Sequence, residues 1–287
     1  MMNPYLLIVL LLIVPTPVVA DEPEGSGLPQ LTVGIFPRRD PAVTIRLFTP
    51  FREFLEQRLG HAVRLETAPD FKRFQQRLKQ GRYDLVHFNQ YHYVKAHREL
   101  GYQALVQNEE FGEAKIRGAI YVHDDSTIHS IGQLKGKTIL FGGGKMAMMS
   151  YVVPTYLLRQ GGLGAGDYKE KFAVSPPNAV LATFLRQVDA GGAGEVVRRL
   201  PLVTKKIDTS RLRLLAVSEP MSHLPWAVKP DMAPELKTRL RQLLLTLRES
   251  EQGRVVLKKA RLTALNPASD SDYDAHRAII NQTRNER

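Results

Sequence analysis

Residues 138–163 read TILFGGGKMAMMSYVVPTYLLRQGGL, and the remainder of the chain is arranged around them. A short apolar run at 138–141 has strand character and breaks into Gly142, Gly143 and Gly144. Met149, Val152, Val153, Tyr156 and Leu157 then recur at helical spacing until Gly161 and Gly162 close the pattern. The segment predicts strand, glycine turn, helix. Glycine tolerates positive φ and lets other groups approach the backbone, while the first turn of a helix leaves N–H groups unpaired at its partially positive end. Such a turn can hold an anion, although the same residues also serve as a plain tight connection. A nucleotide-binding P-loop is excluded, because Lys145 follows the glycines directly and the G-x-x-x-x-G-K-[ST] spacing is missing.

Upstream, residues 6–14 form an unbroken apolar run, and Ala20 offers a small cleavage site before Asp21. The run is short for a membrane span, so residues 1–20 are expected to be a signal peptide and the protein periplasmic. The absence of Lys and Arg from the first five residues leaves an uncleaved anchor as the alternative. With no cysteine in the chain, disulfides, thiolate metal sites and a lipidated cysteine are excluded. Lys and Arg number 40 against 29 Asp and Glu, a net charge of +11, which fits an anionic small ligand, an acidic partner or an anionic surface. No basic block of the length of a nucleic-acid arm occurs, so no nucleic-acid partner is expected.

The polar stretch at 21–30 reads as a linker. From Leu31 the chain alternates strand and helix: a strand at 31–36, a helix with the stripe Ile45, Phe48, Phe51, Phe54, Leu55 and Leu59 ended by Gly60, and a strand at 62–67. A helix capped by Asp70, a strand at 83–88 and a helix to Leu100 follow. This is an α/β pattern, predicting largely parallel sheets with ligand sites beyond the strand carboxyl ends. Two such ends carry chemistry. After the first strand, Arg38 and Arg39 offer forked donors for an oxyanion; after the third, Asn89, Tyr91 and Tyr93 offer neutral hydrogen bonds or aromatic walls. His87, His92 and His97 are spaced five apart, which does not suit one helical face, so no metal site and no cofactor are expected. Residues from about 116 to 217 alternate in their own right and read as a second domain inserted into the first, with the glycine-rich 189–194 as a connection. The C-terminal part is helical and is expected to pack on the first lobe.

Several segments together, LTVGIFPRRDP, GRYDLVHFNQYHYVKA, STIHSIGQLKGKTILFGGG and NAVLATFLRQVDAGGAG, resemble the phosphate/phosphite/phosphonate-binding periplasmic proteins of ABC importers, from Leu31 to about Leu247. The resemblance implies the two-lobed type II periplasmic binding fold, with residues 31–117 and 218–287 as lobe 1 and 118–217 as lobe 2, and chain crossings near 117–121 and 214–218. It implies a monomeric binding protein, not an enzyme, that takes a small anionic ligand and delivers it to a membrane permease; the alternative is a sensory protein that signals to a membrane-bound kinase. Tyr93 matches the tyrosine at the family's helix opening. Relatives carry Ser-Thr-Ser-Gly where this chain has Ala147, Met148, Met149 and Ser150, and Ser-His-Asp where it has Pro176, Pro177 and Asn178. The expected ligand-binding set is therefore Arg38, Arg39, Asn89, Tyr91, Tyr93, backbone at Gly143, Gly144, Lys145 and Met146, and Ser150 and Asn178. The methionines that replace family hydroxyls face the core, an apolar ligand or, as the least favoured alternative, a soft metal.

Overall fold

The structure, a computed structural model, describes residues 30–284; the expected signal peptide and all but the last residue of the linker lie outside them. In the first lobe, β1 (Leu31–Ile35) leads into α1 (Pro41–Leu59), β2 (Val63–Thr67), α2 (Phe71–Lys79), β3 (Leu85–His87), α3 (Gln90–Leu100) and β4 (Gln103–Glu109). β5 (Lys115–Ile116) and β6 (Gly118–His123) carry the chain to a second sheet with β7 (Thr138–Gly142), α4 (Val153–Gln160), β8 (Lys169–Ala173), α5 (Pro176–Phe184), β9 (Ala190–Gly194), α6 (Pro201–Thr204) and β10 (Leu212–Val217). The return runs through β11 (Met221–Ser222) and β12 (Pro225–Val228) to α7 (Pro234–Leu245), α8 (Glu251–Ala260), β13 (Ala264–Pro267) and α9 (Asp274–Arg284).

Local chemistry sets the helix starts. Asp40 Oδ1 accepts from the N–H groups of Ala42 and Val43 at 2.9 and 3.2 Å, with Pro41 at the first helical position. Asp70 caps α2 in the same way through Arg73 N–H at 2.8 Å. The α1 stripe of Phe48, Phe51, Phe54, Leu55 and Leu59 is buried, each residue contributing about 1.5–3 kcal/mol. It faces Trp226, whose ring stacks on Phe51 at 4.7 Å and on His87 at 4.5 Å.

The six-stranded sheet has the order β13-β4-β12-β3-β1-β2 and the five-stranded sheet β10-β6-β9-β7-β8. Their pairing is mixed rather than largely parallel. β1 pairs in parallel with β2 and β3, and β7 with β8 and β9, whereas β12, β13 and β6 meet their neighbours antiparallel. The reversed strands follow the chain's passages: β6 on entering the second sheet, β12 and β13 after the return. The two passages pair with each other, Ser218 N–H donating to Gly118 O at 2.9 Å and Gly118 N–H to Ser218 Oγ at 3.1 Å, with β5 and β11 antiparallel beside them. The last helix differs from expectation too. α9 lies against both α3 and α4, and Arg159 of α4 donates to Gln282 O at 2.8 Å.

The glycine-rich 190–194, expected as a connection, is the fully buried central strand β9. Missing side chains are what put it there. A Cβ on Gly192 would lie 2.5 Å from Phe141 Cδ1 and 2.9 Å from Ser150 O, and one on Gly118 would lie 2.5 Å from Val153 Cγ1. Gly192→Ala is therefore expected to cost about 1–3 kcal/mol of overpacking in urea denaturation. Gly144→Ala, which meets nothing within 4 Å, should stay within about 0.5 kcal/mol of the parent.

Four buried histidines are held neutral. Burial lowers His92 and His276 to about 3 and His223 to about 4, and pushes His87 well down. Because the unfolded chain binds these protons near pH 6.5 and the folded chain does not, their contribution is intact above that pH and is lost as pH falls toward the folded values. Stability measured by denaturation should fall from pH 7 to pH 5, by up to about 1.4 kcal/mol per pH unit for each histidine. His92→Phe removes one such proton from a ring that stacks on Phe71 at 4.3 Å and has no hydrogen-bond partner, and should make that slope shallower.

Candidate functional site

A cleft of about 190 Å³ lies between the two sheets. The strands that aim at it carry their residues there by chain direction: β1 ends at Phe36, Pro37 and Arg38, β3 at Asn89 and Gln90, and β7 at the glycines, all of which line the cleft. The opposite walls are Met146–Ser150, Val174, Pro176, Val196 and Val197, and Ile116, His223 and Leu224 from the passages form the floor.

Gly143, at φ 97°, makes the turn that brings the chain off β7. Instead of entering an α-helix directly, residues 148–152 wind as one π-helical turn, Val152 N–H reaching back to Ala147 O at 3.2 Å, before α4 begins. Met148, Met149 and Ser150, which open this turn, line the cleft on the second lobe, and the first N–H groups of a helical turn have no partner within it. Ser150 is the one hydroxyl side chain among the described residues lining the cleft.

Arg38 faces the cleft from the other side, 30% exposed, and its Nη1 meets Glu110 Oε1 at 3.3 Å. Glu110 is 7% exposed; burial raises its carboxyl, but the Arg38 guanidinium beside it, with Arg39, outweighs that and holds it below the usual range. It stays ionised beneath the guanidinium. His223 Nδ1 accepts from Leu224 N–H at 2.8 Å, leaving the ring proton on Nε2. Deeper, Asn108 Oδ1 accepts from Trp226 Nε1 at 2.9 Å, so its amide donates to His87 Nε2 at 3.1 Å, and His87 Nδ1 has no partner.

Of the expected set, the fold brings Arg38, Asn89, Gly143, Gly144, Met146 and Ser150 to this cleft. The other five do not line it. Arg39 is lowered to about 9 by burial and by Arg38 beside it. Tyr91 and Lys145 line a separate crevice behind the glycine turn, where Lys145 Nζ is 3.8 Å from Glu170. Tyr93 is fully buried, donates to Asp270 Oδ1 at 2.8 Å, accepts from Ala104 N–H at 3.2 Å and is raised by burial first and Asp270 second. Helical rotation explains both tyrosines, since only Asn89 and Gln90 at the opening of α3 point at the cleft. Asn178 lies exposed on the first turn of α5, where Pro176 takes the cleft-facing position. Sequence reasoning missed Phe71, Val174, Val197 and His223 as cleft residues and Glu110 as the partner of Arg38; the apolar ones carried no signal that separates a cleft wall from a core. The three histidines spaced five apart go to different surroundings, His87 against Trp226, His92 against Phe71, and His97 to Tyr102 O at 2.8 Å. His123, Asp124 and Asp125 form a cation-sized group at the surface, but Arg211 and Arg186 already occupy the carboxylates.

Three solved structures share this architecture. XAC2383 from Xanthomonas citri, bound to ATP, is 20% identical with a TM-score of 0.74, covering 89% of this chain and 98% of its own. A binding protein component of an ABC phosphonate transporter from Pseudomonas aeruginosa is 18% identical, at 0.74, over 90% and 87%. PhnD1 from Prochlorococcus marinus, in complex with methylphosphonate, is 19% identical, at 0.75, over 90% and 99%. At those identities they establish the two-lobed type II fold. The sequence profile described as "ABC transporter, phosphonate, periplasmic substrate-binding protein" matches residues 33–273, so this chain belongs to that family of periplasmic substrate-binding proteins, which are carriers and not enzymes.

Proposed function

We propose that the protein captures a small anionic solute, phosphonate- or phosphate-like, between its lobes and presents it as a monomer to the permease of an ABC importer. The observation that carries this reading is convergence: Arg38 from the first lobe, and the glycine turn with the opening of the helical turn after it from the second, line the same cleft. A guanidinium and backbone donors together suit a tetrahedral oxyanion. Residues 31–117 and 218–287 act as one lobe and 118–217 as the other, bending at the paired passages around Gly118 and Ser218. A ligand held on one wall gains contacts from the other only when the lobes close, and that difference in affinity drives the closure.

Thermal unfolding of the chain from Asp21 onward, against phosphate, phosphite, alkylphosphonates, sulfonates and carboxylates, tests the ligand class. A phosphorus oxyanion at about a hundred times its dissociation constant should stabilise the fold by about 2.7 kcal/mol. Arg38→Ala should weaken that ligand by about 10- to 100-fold, the range for a charge-assisted hydrogen bond. Indifference to every phosphorus oxyanion would refute the reading. Export is tested separately: N-terminal sequencing of protein recovered from the periplasm should begin at Asp21.

A further inference from the structure

The donors of the cleft are few for a bare oxyanion. Arg38 is the one Lys or Arg among its lining residues, and its charge is already answered by the ionised Glu110 at 3.3 Å. Lys145 is spent on Glu170 outside it. Asn89 Oδ1 is committed to capping α3 through Tyr91 N–H at 2.9 Å, which leaves only its amide for a ligand. A compact, strongly hydrated anion must recover its hydration from the protein. Arg38, the Asn89 amide, the His223 Nε2–H, one hydroxyl and the turn's N–H groups bring a single, already compensated charge to it.

The walls, by contrast, are apolar. Phe36 and Phe71 stack at 6.2 Å on the first lobe, with His92 behind Phe71 fixing its plane. Met146 and Val174 on the second lobe are 38% and 94% exposed. Val197 and Leu224 add further hydrocarbon. Single exposed apolar residues are ordinary, but Met146 and Val174 open on the same concave site that the more buried Phe36, Phe71, Val197 and Leu224 line, the pattern of a surface awaiting an apolar group. The cleft's volume is more than ten times what one water needs, about 10–15 Å³.

The geometry points to an amphiphilic ligand: an organic anion with a compact phosphonate-type head and an alkyl or aryl body that lies against Phe36, Phe71, Met146 and Val174. The inference rests on the anion capture proposed above and extends it to the remainder of the ligand. Burial of hydrocarbon then supplies the affinity that the sparse donors do not, and the adaptable methionines accommodate bodies of different shape.

The experiment is calorimetric titration of the chain from Asp21 onward with methyl-, propyl-, hexyl- and phenylphosphonate, and with hexanol as the uncharged control. Affinity is expected to rise up to about fourfold per buried methylene, with phenyl well above methyl. Val174→Ser, at a position so exposed that folding is spared, should reduce the hexyl-to-methyl ratio by about threefold or more. Equal affinities along the series, or tightest binding of methylphosphonate, would overturn the inference and leave anion capture standing. Hexanol binding as tightly as hexylphosphonate would overturn the anionic head, and no binding by any phosphonate would overturn both.

Discussion

The structure depends on how closely the turn at 148–152 lies on the second sheet. Its carbonyls at Ser150 and Met149 come within 2.9 and 3.2 Å of where side chains on Gly192 and Gly118 would begin. Those two glycines face each other's strands in the β6–β9 pair, Gly118 opposite Gly194 and Ile120 opposite Gly192. With no Cβ in the way, the turn settles directly onto the backbone of the two central strands. That contact fixes where α4 starts, and through it where the opening of the turn and the methionines meet the cleft. Any larger residue on β9 would lift the turn and shift the second-lobe wall as a unit.

The first-lobe wall is held by a different means. Beneath Arg38 lies a buried polar layer, with Glu110 under the guanidinium, His223 beside it, and the Trp226–Asn108–His87 chain of hydrogen bonds below. Burial keeps the histidines neutral and Arg38 keeps Glu110 charged, so the layer carries one compensated ion pair and no isolated charge. Orientation, not net charge, is what it contributes. Arg38 is aimed at the cleft while its field is largely cancelled. The basic excess of the chain therefore lies elsewhere on the surface, and the +11 net charge says little about the cleft itself.

Much of the fold was legible from local rules. Asp70 caps its helix as read, and the phenylalanine stripe of α1 is buried as its spacing demanded. The strand, glycine turn and helix of residues 138–160 appear in that order. Misreadings fall where a local rule meets a longer-range demand. Glycine disfavours strands, so AGGAG read as a loop; it is a strand because the packing above it tolerates nothing larger. Tyr93 and Lys145 carried the right chemistry at nearly the right place, but a rotation of one or two residues around a helix or turn sends a side chain to Asp270 or Glu170 instead of the cleft.

By itself the sequence determined the α/β class, the strand ends that bear Arg38 and Asn89, the glycine turn, and membership of the binding-protein family, because these rest on periodicity, capping and motifs that act over a few residues. Only the tertiary structure decided that Phe36, Phe71, Met146 and Val174 share one cleft, that Glu110 answers Arg38 across a separation of 72 residues, and that α9 touches both lobes. Each of these is a meeting of segments far apart in the chain. A residue's spacing tells which face of its own element it occupies; what stands opposite that face is set by the packing of every other element.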